Sequence, residues 1–399
     1  MRIGRTIPPA AAPLKWSNLA YGVLGVFRGE KERKQLIEEL KVYYNKRHCF
    51  LVSSGKVALT LILEALKEYY PGRTKVLIPA YTCYSVPSAI TRAGLEVVLC
   101  DISETSFDFD FRQIEPLLKD EKLLCVIPTH LYGIPADIER LRRISCTLNI
   151  PIVEDAAQAM GGVWCGKKLG TLGDASFFSI GRGKSFSTIE GGIILTDRDD
   201  FAVAIKKRCR QLPSYSLNEI LILIVYAIAL KILMHPDLFW IPKSIPALKL
   251  GETIYDPNFK MRKLSYFQAG LAKGWLQQLN SFKLKRRQNA TFWMHSKVIG
   301  HHNKFISDND DLPDMIRFPI KVQSEAMKDR ILIIAERFGL GISPGYPNSI
   351  NRIQQLAAKF EGQNFPQAKQ VAERLVTLPL HPFLSNHDLA NINHKIKFE

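Results

Sequence analysis

The chain has 399 residues, more than one domain usually holds, and 46% of them are hydrophobic, which excludes wholesale disorder and points to two domains with a large core. Lysine and arginine total 54 against 38 acidic residues, a formal charge of +16, so nucleic acid, an anionic membrane surface and a polyanionic small substrate compete as partners. Basic residues are dispersed, in short clusters such as Lys283-Leu-Lys-Arg-Arg287, and no nucleic-acid motif accompanies them, which sets nucleic acid aside.

Prolines at positions 8 and 9 break the N-terminus too early for a signal-peptide apolar core, and a cytoplasmic protein is expected. The seven cysteines are scattered without a Cys-x-x-Cys pair, which favours a reducing compartment over a disulfide framework or a zinc site. A helix ending over 41–44 leads into a short apolar strand over 49–52. Ser53-Ser54-Gly55 then breaks into a helix over 57–69, whose apolar positions recur at helical spacing. Strands follow over 75–78, 96–101, 123–128 and 150–153, with helices over 85–93, 111–119 and 138–148. Such alternation predicts an α/β fold with a parallel sheet covered by helices. Sites in these sheets lie at the carboxyl ends of the strands, where Ser54, Tyr81, His130 and Asp155 fall.

Two dense motifs carry the chemistry. Pro151-Ile-Val-Glu-Asp155-Ala-Ala-Gln158 delivers a carboxylate to the end of an apolar run. Phe178-Ser179-Ile-Gly-Arg-Gly-Lys184 then sets a lysine after a serine, ahead of Glu190-Gly191-Gly192. Pyridoxal phosphate chemistry asks for that pair: a lysine for the Schiff base and an acid that keeps the pyridine nitrogen protonated. Lys184 and Asp155 are therefore the candidate catalytic residues, and no metal is expected. A phosphate needs anion-binding backbone, and Ser54-Gly55 lies where a strand gives way to a helix N-terminus with free N–H groups.

These motifs, with others in register along almost the whole chain, resemble the DegT/DnrJ/EryC1/StrS family, sugar aminotransferases of the aspartate-aminotransferase fold type I. Val52-Ser-Ser-Gly-Lys-Val-Ala-Leu59 is similar to the family's Ser-Gly-Thr-x-Ala-Leu phosphate loop, and Ile78-Pro-Ala-Tyr-Thr82 to its Pro-x-Phe/Tyr-Thr strand end. Thr129-His-Leu-Tyr-Gly133 resembles its His-Leu-Tyr-Gly segment, and Phe365-Pro-Gln-Ala368 and Leu378-Pro-Leu-His-Pro382 its closing motifs. The resemblance implies a pyridoxal 5′-phosphate-dependent transferase with a large domain over 1–285, its mostly parallel sheet sandwiched by helices. A smaller C-terminal α+β domain would occupy 286–399. It further implies that Lys184 forms the Schiff base and shuttles the proton, that Asp155 pairs with the pyridine nitrogen, and that Gln158 faces the ring or its phenolic oxygen. Ser179 would add a hydroxyl to the phosphate. The implied activity is amino transfer from an amino acid, glutamate being the expected donor, to a nucleotide-linked keto-sugar in amino-sugar or polysaccharide biosynthesis. A homodimer with sites at its interface is implied as well.

Three departures from the family pattern stand out. Lys56 occupies the usual threonine position, where it either reaches the phosphate as a point charge or swings into solvent. Cys83 replaces a common aromatic residue, so Tyr84 or Tyr81 takes over ring stacking, or the thiol packs there. The Asn258-Phe-Lys-Met-Arg-Lys263 stretch only loosely matches the Asn-Tyr-Arg element that reaches the partner subunit, and no role is assigned to Asn258, Arg262 or Lys263. His130 approaches the site or is satisfied locally. The apolar segment over 216–250 is too short to span a membrane, which takes about twenty apolar residues. Burial in the subunit interface is the preferred reading over a lid or membrane-surface contact through 220–241. A dehydratase of the same family would carry histidine in place of Lys184. A catalytically degenerate, membrane-associated scaffold of the same fold is the alternative function.

Overall fold

In the computed structural model, residues 3–248, 250–296, 305–306 and 312–396 are described; the small-domain expectation over 286–399 therefore lies partly outside them. In chain order the strands of the larger body are β1 (His48–Val52), β2 (Lys75–Pro79), β3 (Glu96–Cys100), β4 (Leu123–Val126), β5 (Val153–Asp155), a small hairpin of β6 (Val163–Trp164) and β7 (Lys167–Lys168), β8 (Ala175–Ser179) and β9 (Gly192–Thr196). Two runs, β3-β2-β4 and β5-β8-β9-β1, meet through the parallel bridges Val126–Ile152 and Thr129–Asp155. The result is one twisted layer between helices, the fold type I arrangement. Its strands are near-continuous apolar runs, as burial on both faces demands.

The sheet is parallel except at β9, which runs antiparallel to both β8 and β1. The reason is the connection. Parallel neighbours need a helical crossover, whereas residues 180–191 between β8 and β9 form an irregular loop that returns directly. That loop carries Lys184. Two further expectations shift. The strand expected over 150–153 is instead Val153–Asp155, because the carboxylates of Glu154 and Asp155 find buried partners. The helix expected over 111–119 shrinks to Ile114–Leu118, since the Asp110 carboxylate accepts the Arg112 N–H and holds a turn before it.

The smaller sheet is antiparallel, ordered β10 (Arg317–Lys321), β12 (Leu375–Pro379) and β11 (Ser343–Pro344), with the helices Glu325–Phe338 and Pro366–Arg374. The boundary expected at 285/286 falls inside one continuous helix, Trp275–Met294. The N-terminal residues are fastened to this smaller unit: the Ile7 N–H donates to Gly339 O at 2.9 Å and His381 Nε2 donates to Pro8 O at 2.7 Å.

The apolar segment forms the helix Leu217–Leu233, opened by a Ser216–Glu219 capping box. It buries Leu223 and Ala227 against Leu19, Phe267 and Leu271, and leaves Leu217, Leu221, Ile222 and Val225 exposed. Among the described residues, no helix is long and apolar enough to cross a membrane.

Candidate active site

Five strand ends, those of β1, β2, β4, β5 and β8, converge on one cavity of about 150 Å³. Beyond β1, Ser54 caps the helix Gly55–Tyr69, its hydroxyl accepting the Val57 N–H at 3.3 Å. Gly192 is required beside it, because a Cβ there would lie 2.2 Å from Ser54 O. Beyond β4 comes Thr129, at the end of β5 Asp155, and at the end of β8 Ser179. Ser54, Gly55, Lys56, Ser179 and Lys184 all line the cavity, as do Cys83, Asp155 and Gln158. Tyr81 and Tyr84 do not: both are buried behind it, and their hydroxyls accept the N–H groups of Tyr346 and Asn348. Of the residues the resemblance offered for ring contact, Cys83 is the one that meets the cavity.

Asp155 is buried, and its carboxylate accepts the Ala157 N–H at 3.0 Å. Burial pushes its pKa upward, against the Ala157 N–H and the positive charge of Lys184. Lys184 is half-buried and makes no ion pair or side-chain hydrogen bond among the described residues, so its amine is available. The loop behind it is held by Thr188 N–H to Ile180 O, and Ile189 takes a left-handed φ of 78°, costly for a β-branched residue.

His130 lies outside the cavity. Its Nδ1 accepts the Ala136 N–H at 3.0 Å, so Nε2 carries the proton donated to Glu154 at 3.0 Å. Glu154 also collects N–H groups from Gly170, Leu172 and Gly173. Burial works to raise the Glu154 pKa, but His130 and these N–H groups outweigh it and hold the carboxyl below its usual range. This buried pair buttresses the strand that presents Asp155. Gln158 lines the cavity with both ends of its amide engaged: Oε1 accepts the Tyr132 N–H at 2.9 Å, and Nε2 donates to the Tyr346 hydroxyl at 2.7 Å. Sequence reasoning missed Glu154, Thr129 and Tyr346. The first two sit inside quoted motifs beside the residues singled out, while Tyr346 arrives from the smaller unit with no local signal.

Lys56 is half-buried, 4.5 Å above the Phe259 ring and 4.0 Å from Asp256. Burial lowers its pKa, with Asp256 opposing. Asn258 and Lys263 do not line the cavity, nor does Arg262, which pairs with Glu219. The apolar helix is likewise absent from the lining, so it is not a lid over this cavity. A larger groove of about 610 Å³ beside β1 contains neither Lys184 nor Asp155.

The residues present fit pyridoxal phosphate: an unpaired lysine, a buried acid, two hydroxyls and a helix N-terminus around one cavity. Comparison with known proteins agrees. The sequence model of the DegT/DnrJ/EryC1/StrS aminotransferase family matches residues 25–397. GDP-perosamine synthase of Caulobacter vibrioides is 33% identical over 164 residues, 41% of this chain and 43% of that relative, so the match spans less than half the relative's length. Spore coat polysaccharide biosynthesis protein SpsC of Bacillus subtilis is 23% identical over 370 residues, covering 91% of this chain and 88% of the relative. The same fold is found in Helicobacter pylori PseC, an aminotransferase involved in the biosynthesis of pseudoaminic acid, with a TM-score of 0.77, 16% identity and 98% of both chains covered. Sugar aminotransferase CalS13 of Micromonospora echinospora aligns with a TM-score of 0.75 and 18% identity over 98% of this chain and 99% of its own.

Proposed function

Because the chain belongs to the DegT/DnrJ/EryC1/StrS aminotransferase family and uses that family's cofactor, pyridoxal 5′-phosphate, we propose that it transfers an amino group to a nucleotide-linked keto-sugar. Glutamate is the proposed donor, and amino-sugar or polysaccharide biosynthesis the setting. The observation that carries the reading is the convergence of Lys184, Asp155, Ser54, Gly55 and Ser179 on one cavity at the carboxyl ends of the strands.

Pyridoxal phosphate, when bound, supplies an electron sink for negative charge developing at the substrate carbon. Lys184 would hold it covalently through Nζ. Once released, that amine takes the proton from the donor's α-carbon and returns it on the other side of the transfer. Asp155 would keep a proton on the ring nitrogen by opposing it with a buried anion. The helix N-terminus at Gly55, with the Ser54 and Ser179 hydroxyls, would bind the phosphate, and Lys56 would add a positive charge at its edge. Ala157 and Cys83, from different strand ends, bound the space for the ring.

At about 150 Å³ the cavity is smaller than the roughly 300–1,000 Å³ of ordinary ligand sites, so the sugar nucleotide needs room beyond it. A homodimer is proposed to supply part of that surface. The exposed apolar residues of the helix Leu217–Leu233 are proposed to lie in that subunit interface. The direct test is a single turnover with purified protein and L-glutamate. One equivalent of 2-oxoglutarate per protomer is expected before any sugar is added; none from glutamate or any other amino acid would defeat the assignment.

A further inference from the structure

The cavity is walled on one side by Cys83, where the family pattern leads one to expect an aromatic ring. Beside the cavity stands Tyr346, carried on the loop that follows β11 in the smaller unit and bonded to the lining residue Gln158. Its hydroxyl accepts from Gln158 Nε2 at 2.7 Å. Gln158 and Cys83 both line the cavity; Tyr346 itself does not. The ring is 9% exposed and lies among those of Tyr81, Tyr84 and Tyr132, with centroids 5.7, 6.5 and 6.5 Å away.

The loop is stitched down along its length. The Tyr346 N–H donates to the Tyr81 hydroxyl at 2.8 Å, the Asn348 N–H to the Tyr84 hydroxyl at 3.0 Å, and the Ile350 N–H to Ala80 O at 2.8 Å. Its approach depends on Gly345, where a Cβ would lie 2.1 Å from the Tyr81 hydroxyl. Across the site, the other end of the Gln158 amide accepts the Tyr132 N–H, which Tyr132 presents from a left-handed φ of 58°. Gln158 is thus clamped between a residue of the larger body and one of the smaller.

We infer that Tyr346 is a positioning residue for the cofactor site: it fixes Gln158 from the smaller unit, so the cavity takes its binding shape only with that loop docked. The inference rests on the pyridoxal phosphate reading. A primary amide has no fixed orientation of its own; the buried Tyr346 hydroxyl at one end and the Tyr132 N–H at the other set that of Gln158.

The test is Tyr346→Phe, which keeps the ring and deletes only the hydroxyl. Readouts are the dissociation constant for pyridoxal phosphate, by absorbance titration, and the visible band of the bound cofactor across pH. Tyr44→Phe is the control, because it loses a buried hydroxyl that accepts the Gly161 N–H, and neither residue lines the cavity. The expected result for Tyr346→Phe is cofactor binding weakened about fivefold, the worth of one buried hydrogen bond, with a displaced band. Tyr44→Phe should leave both unchanged even if it melts earlier. In a Gln158→Leu background the Tyr346→Phe effect should fall below about twofold, since the shared bond is already gone. Equal binding and spectra for wild type and Tyr346→Phe, or an undiminished effect beside Gln158→Leu, would overturn the positioning role alone. Wild-type protein unable to bind pyridoxal phosphate would overturn the cofactor reading beneath it.

Discussion

Asp155 bears the hardest electrostatic task in the site. Under the proposed function it must remain an anion while buried, and burial pushes its pKa the wrong way. The Ala157 N–H and the Lys184 charge counter that pressure, and a protonated ring nitrogen would complete the compensation. Asp155→Asn keeps the shape and deletes the charge. The glutamate half-reaction should slow by about 10²–10³-fold, as when a preorganised electrostatic group is lost, while the thermal midpoint stays close to wild type because a buried charge has been relieved. Stopped-flow absorbance and a melting curve check the two halves. Lys184, Asp155, Ser54 and Ser179 stood out in the sequence because each sits in a dense motif, and the fold brings all four to one cavity. Glu154 was not: the groups that make it a buttress, His130 and the N–H groups of Gly170 to Gly173, are brought to it only by folding.

Among the elements, β1, β2, β3 and the helix Gly55–Tyr69 followed from apolar periodicity within a residue or two. β5 was displaced because two carboxylates at its end do not look like strand residues until their partners are known. The direction of β9 was hidden for another reason: nothing in the run Gly192–Thr196 distinguishes parallel from antiparallel pairing, which is set by the length and form of the connection. The helix Leu217–Leu233 read correctly as apolar and non-spanning. Its place was not legible, because nearly every side chain is apolar and no single stripe marks the buried face. Only contact with Leu19, Phe267 and Leu271 selects Leu223 and Ala227 for burial.

For the molecule as a whole, the N-terminal strap and the smaller unit are joined at His381. This buried imidazole donates to Pro8 O, and burial pushes its pKa down to about 4 from 6.5. The folded state therefore keeps it neutral, and the unfolded chain takes up the proton first as pH falls. Its stabilisation is complete above about pH 6.5 and is lost toward pH 4, at up to about 1.4 kcal/mol per pH unit. His381→Gln should flatten the stability profile in that window by close to one proton, as read by urea unfolding at stepped pH; an unchanged slope would assign the acid sensitivity to other groups. The resemblance marked His381 as part of a closing motif, but its partner in the first ten residues was visible only in the fold. The pyridoxal phosphate assignment stands or falls on one visible absorption spectrum, taken with and without L-glutamate and repeated for Lys184→Ala. A yellow band in wild type, bleached by glutamate and missing in the variant, is the predicted result. Wild-type protein that stays colourless after incubation with pyridoxal phosphate would contradict it.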